Sequence, residues 1–201
     1  MAWAPAYATA TELKAFVRID DTVDDAEIGL ALEGASRVID KATDRQFGVL
    51  AAAEARVYVP EWNSNRCAYV ARIDDLMTTT DLVVTVSSAV VAADSRALLP
   101  LNAAENGRPW TKLVTDSATP GTIATGYQAT VDVTAIWGWT AVPDTIKEMT
   151  LLQASRFLAR REAPFGVAGS PDAGSEMRLL AKADPDVALM ATAYRRDWPR
   201  L

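Results

Sequence analysis

Apolar positions in the first fifty residues recur with a helical period. Thr9 and Glu12 have the spacing of a capping box, and Leu13, Phe16 and Val17 follow it, predicting a short helix that ends near Arg18. After the acidic link Asp20 to Val23, Asp24 or Asp25 is placed to cap a second helix. Its apolar face is Ile28, Ala31, Leu32, Ala35, Val38, Ile39 and Ala42, the cleanest amphipathic stripe in the chain. Together they predict a helical hairpin with Gly48 shortly after its end.

From Ala55 the period becomes two. Arg56 to Val59, Tyr69 to Ile73, Leu82 to Val86, Trp110 to Val114 and Thr130 to Trp137 read as strands. Asp74-Asp75, Asn106-Gly107, Pro120-Gly121 and Gly126 read as turns between them, predicting a small antiparallel lobe.

Helical spacing returns after Pro143, with Asp144 or Thr145 as cap and Ile146, Met149, Leu152, Phe157 and Leu158 leading toward Arg161. Few charges interrupt this stretch before Arg156, so it is expected to be the buried central helix. The Gly- and Pro-rich stretch Ala163 to Gly174 is expected to form no regular element and to act as a hinge or partner-binding loop. A last helix is expected to start at Asp184-Pro185-Asp186, with Val187, Met190 and Tyr194 as its stripe. The predicted class is α+β: mainly an α-helical bundle with an inserted small antiparallel β-rich lobe and a C-terminal helix. The expected divisions are 1–54, 55–140 and 141–201, the last packing with the first.

Composition narrows the chemistry. The chain has 201 residues, 50% of them hydrophobic, enough for one core or a core and a satellite. Its single Cys67 excludes an internal disulfide and is expected to be an ordinary, partly buried residue. No histidine occurs, which removes the commonest general base and metal ligand and every Ser-His or Cys-His pair. The net charge of −6 opposes tight binding to phosphates. No stretch nears the roughly 20 apolar residues that span a bilayer, and the first residues lack a basic start, so the expectation is a soluble, untargeted protein without membrane contact.

Individual constellations mostly resolve into structural roles. Asp20, Thr22 and Asp24 alternate like calcium ligands, but Asp25 and Ala31 stand where such a loop needs Gly and Glu, so helix capping is the better reading. Asp74 and Asp75 are adjacent and would point to opposite faces of a strand, which argues for a turn rather than a catalytic pair. Neither Ser36 nor Ser170 sits in a G-x-S-x-G elbow, and no phosphate loop is present. Trp137 and Trp139 around Gly138 read as packing at the junction of the two regions. No cofactor or metal site is expected. Arg156, Arg160 and Arg161 suit a helix C-terminus electrostatically, and as a charged group they are also candidates for a subunit interface. Tyr194, Arg195, Arg196 and Trp198 combine residue types enriched at interface hot spots, at a chain end with little core left to join.

The order of these pieces resembles the head-to-tail connector family of long-tailed bacteriophages, also called adaptor or head-completion proteins. The resemblance rests on Glu12 to Asp21, Asp25 to Ile28, Ala35 to Asp40 and Thr43 to Gly48. Downstream it rests on Ala135 to Trp139, Val142 to Lys147, Arg160 to Val167, Asp184 to Val187 and Tyr194 to Arg196. The stretch from about 55 to 140 departs from the shortest, almost all-helical members.

The resemblance implies a non-enzymatic virion protein of the neck, assembled in the bacterial host cytoplasm. It implies a homo-oligomeric ring of about twelve subunits beneath the portal protein, with a stopper or tail-completion protein below and genomic DNA passing through the lumen without specific binding. Within it, Tyr194, Arg195, Arg196 and Trp198 become portal-interface candidates and Arg156, Arg160 and Arg161 ring-interface candidates. The segment Asp184 to Leu201 is then expected to order fully only on docking. A helix-turn-helix DNA-binding or packaging regulator is the alternative, opposed by Asp24, Asp25 and Glu27 at the start of its second helix. A hydrolase using only carboxylates is a third, with no constellation to carry it.

Overall fold

The computed structural model describes residues 4–115, 121–122, 129–162, 167–168, 177–178 and 185–196. The fold is mixed α+β, with four α-helices, two small antiparallel sheets and a separate two-stranded ribbon among these residues. The chain divides into two compact units: Met1–Phe47 with Val142–Leu201, and Gly48–Ala141.

The first unit holds α1 (Ala10–Val17), α2 (Asp25–Thr43), α3 (Asp144–Glu162) and α4 (Pro185–Thr192). The capping box at α1 forms as read: Thr9 Oγ1 accepts from the Glu12 N–H at 3.2 Å, and Glu12 Oε2 accepts from the Thr9 N–H at 2.7 Å. Asp24 occupies the N-cap of α2 without a side-chain capping hydrogen bond, and the helix stops at a left-handed Asp44, with Gly48 four residues further on. An αL terminus needs a positive φ, which aspartate tolerates better than most residues. Leu13, Ile28, Ala31, Leu32, Ala35 and Ala154 form one buried cluster, joined at its edge by Leu151, Phe157 and Leu158. The apolar faces of α2 and α3 thus cover one another, and a Cβ on Gly34 would meet the Phe157 ring at 3.5 Å. Lys14 to Asp25 and Lys147 to Glu12 add surface ion pairs between α1 and its neighbours.

The second unit is built on β1 (Glu54–Tyr58), β2 (Pro60–Asn63), β3 (Ala68–Leu76), β4 (Val83–Val86), β5 (Ala89–Val90), β6 (Arg96–Leu99), β7 (Trp110–Thr115), β8 (Gly121–Thr122) and β9 (Ala129–Ala135). One sheet runs β1-β9-β4-β5 with β8 added to β9, and the other runs β2-β3-β7-β6. Only Val59 separates β1 from β2, so one nearly continuous strand passes from the first sheet into the second. The inner faces share a core of Ala71, Ile73, Leu113, Val84, Val86, Val131, Val133 and Trp137.

Three sequence expectations need correction. Asp74 and Asp75 lie inside β3, beside a register shift between Arg72 and Leu76, rather than in a turn. Cys67 is exposed, in a left-handed hairpin position, with its Sγ 3.4 Å from the Ser64 carbonyl oxygen. Within the Gly- and Pro-rich stretch, β10 (Val167–Ala168) pairs with β11 (Met177–Arg178), because extended backbone can pair between turn residues once a partner strand is supplied. In the helical unit α4 packs with Val187 and Ala191 buried. The expected turns at Pro120 and Gly126 and the cap Asp184 fall outside the described residues.

Candidate functional site

The end of α2 is where the two resemblance-bearing ends of the chain meet. The Arg45 Nε donates to the Tyr194 carbonyl at 2.6 Å, and the Arg196 N–H donates to the Thr43 carbonyl at 2.9 Å. The Phe47 ring sits edge-on to both Tyr194, at 5.8 Å, and Tyr7, at 5.6 Å. Tyr194 is tied to the helical unit by its carbonyl and its ring and Arg196 by its backbone N–H, both residues half-buried, and Arg195 beside them is exposed. Trp198 lies outside the described residues. Arg156 and Arg160 lie half-buried on α3, and the Arg161 side chain is likewise outside the described set.

A polar network supports this end from beneath. The Tyr7 hydroxyl donates to Asp40 and accepts the Phe47 N–H at 3.0 Å. Arg37 closes it, with Nε 2.9 Å from Asp40 Oδ2, Nη2 donating to the Pro5 carbonyl at 2.7 Å, and its guanidinium over the Tyr7 ring. Burial pushes the Asp40 carboxyl above its usual range, against the opposing pull of Tyr7 and Arg37. Burial likewise raises the Tyr7 hydroxyl, and the Asp40 bond raises it further. A phenol held neutral against a carboxylate is a clamp on the chain rather than a poised base. Nothing in the sequence pattern marked these three residues, since each is an isolated polar position within or beside an amphipathic stripe.

In the β unit two carboxylates stand at the register shift in β3. Asp74 Oδ2 receives Arg56 Nη1 at 2.7 Å and the Tyr58 hydroxyl at 2.9 Å, while buried Asp75 Oδ2 receives Trp139 Nε1 at 2.9 Å. Burial raises the Tyr58 hydroxyl, and the charge of Asp74 adds to it. Burial alone would lower the Arg56 guanidinium, but Asp74 outweighs it and the net shift is upward. Trp137 Nε1 donates to the Glu54 carbonyl at 2.8 Å and its ring lies under Arg56 at 5.1 Å. Both tryptophans are core residues of this unit, each with its indole N–H satisfied.

Chemically these clusters hold structure. The two carboxylates of β3 take different partners and do not converge. Among the described residues no group of His, Cys, Asp and Glu is arranged to hold a metal ion, and no helix is long and apolar enough to cross a membrane. An open concavity by Pro100, Leu101, Ala103, Asn106 and Arg108 presents one cation and one amide, with no nucleophile or carboxylate among these residues. Asp25 and Glu27 occupy the first turn of α2, where a DNA-reading helix would meet phosphates. No protein-family profile matches the sequence, and no curated protein matches it.

Proposed function

We propose that the chain is a structural virion protein: a head-to-tail connector that forms a ring beneath the portal of a long-tailed phage and offers a platform for the stopper or tail. The observation that carries this reading is the composition of the helical unit. The segments on which the resemblance rests come chiefly from 12–48 and 142–196, far apart in sequence, and they are joined at the Thr43–Phe47 turn by Tyr194 and Arg196. The β unit interrupts this scaffold as an insertion. The negative net charge suits a channel that lets duplex DNA slide, and the acidic first turn of α2 counts against the regulator reading.

Exposed Arg195 and the following Trp198 are the first docking residues to test, beside half-buried Tyr194 and Arg196. The test is pull-down and electron microscopy with the portal protein from the same phage genome, beside a gel-shift assay with duplex DNA. The expected result is a ring coaxial with the portal and no shift. Replacing Arg195 and Trp198 with Ala should weaken portal binding by about 2 kcal/mol or more if they act as hot spots. A chain that shifts DNA and ignores portal rings would be a regulator instead.

A further inference from the structure

The β unit carries two outward faces of complementary chemistry. On the first sheet, register sets Val57, Asp132, Thr85 and Val90 in one row and Ala55, Thr134 and Val83 in the next. Their alternates Val84, Val131 and Val133 are buried in the core, so these rows point outward. Val57 and Val90 are 62% and 70% exposed, and Asp132 is the one charge in the two rows. An antiparallel sheet facing water ordinarily shows a polar outer face, whereas this one shows valine and threonine around a single carboxylate.

The outward face of the second sheet answers it. Its rows are Glu61, Val70, Val114 and Ala97, then Arg72, Lys112 and Leu99, the alternates Ala71 and Leu113 being core. Arg72 and Lys112 are direct cross-strand partners, an arrangement of like charges that disfavours the sheet. Among the described residues none of the ion pairs takes up Arg72, Lys112 or Asp132. Glu61 is the one carboxylate in these rows, so the face keeps a net positive charge and two cations set directly opposite one another.

We infer that these faces meet between copies of this chain, the Asp132 face of one subunit lying on the Arg72–Lys112 face of the next. The molecule itself carries both halves of the match. Stacking the first face on its own copy would oppose two Asp132 carboxylates, and stacking the second would gather four cations against two Glu61 carboxylates, leaving a net repulsion. Only the heterologous contact brings together faces of opposite net charge, and such a contact propagates from subunit to subunit until rotation closes a ring. The inference rests on the ring proposed above and assigns the β unit its place in that ring.

Charge reversal tests it by analytical ultracentrifugation across a concentration series. The wild-type chain should self-associate. Asp132→Lys alone, and the Arg72→Glu/Lys112→Glu pair alone, should each require at least about tenfold higher concentration to do so, because each variant opposes like charges. A one-to-one mixture of the two variants should recover wild-type assembly, since each then meets an oppositely charged neighbour. Circular dichroism checks folding, and Lys112→Glu alone replaces the pair if the pair unfolds. A wild type that stays monomeric to its solubility limit overturns the inference. So do variants that assemble like wild type, or a mixture that recovers nothing. Portal pull-down separates the two claims: portal rings bound equally by wild type and variants with unaltered self-association sink this contact alone, while charge-dependent assembly without portal binding sinks the connector reading alone.

Discussion

Replacing Tyr7 with Phe isolates the clamp that ties the N-terminal segment to α2. The ring and its edge-on contact with Phe47 are retained, and only the hydroxyl goes. Two interactions vanish together: the bond donated to Asp40 and the bond accepted from the buried Phe47 N–H. A hydrogen bond to a charged group contributes about 1.5–3 kcal/mol, and a buried donor left without a partner costs about 1–3 kcal/mol. Asp40 keeps Arg37, which softens the first figure, so the expected loss is about 2–4 kcal/mol. Urea unfolding followed by far-UV circular dichroism reads it, since all four helices lie in the unit that contains Tyr7. With Trp3 and Trp198 of the helical unit replaced by Phe, fluorescence from Trp62, Trp110, Trp137 and Trp139, all in the other unit, supplies an internal reference. A midpoint shift worth less than about 0.5 kcal/mol, or equal shifts in both probes, would refute the clamp.

Removing the cap with Thr9→Ala should cost about 1 kcal/mol, measured by the same helix-reporting melt. Gly138→Ala should cost more than about 3 kcal/mol and register in tryptophan fluorescence, because φ is +109° and the added Cβ would stand 2.0 Å from the Gly48 carbonyl oxygen. Tyr7 and Tyr58 are both held above the ordinary phenol value of 10.0, so above that pH the unfolded chain releases protons the folded chain keeps. Stability should fall as pH rises past 10, and Tyr58→Phe should flatten that fall in pH-dependent denaturation. Asp40 has the same sign at the acid end: its raised value means that its contribution declines as pH climbs from the ordinary 3.8 to the folded value. The stability of Asp40→Asn relative to wild type should therefore rise across that window.

The elements that were legible in the sequence are those whose signal is local. The capping box at Thr9, the α2 stripe and the alternation in β3, β7 and β9 all appear where the period placed them. β2, β5 and β6 were missed because Pro60, the two-residue Ala89–Val90 and Arg96 to Leu99 carry no alternation of their own and exist through their partners. Asp74-Asp75 misled for a related reason. Paired aspartates favour turns locally, and only Arg56, Tyr58 and Trp139, distant in sequence, make a strand position habitable for them. The candidate interface residues were legible only as types. How far each is covered, half-buried as for Tyr194 and Arg196 or exposed as for Arg195, depends on the Thr43–Phe47 turn that receives them.

The β unit has one further effect, which follows from how its two ends are tied. The Trp139 N–H donates to the Gly48 carbonyl at 2.7 Å, and Val49 bridges Gly138, so entry and exit of the insertion are fastened by its own hydrogen bonds. To the helical unit, a loop of roughly 90 residues then behaves as a link of a few. Closure entropy grows as (3/2)RT ln n, so folding of the insertion relieves about 2–3 kcal/mol of the cost of bringing α3 onto α1 and α2. The insertion is in that sense a non-covalent cross-link. Melting it first would loosen the helical unit by the same amount with no interface needed to transmit the change, and excising it in favour of a short glycine linker would preserve the benefit.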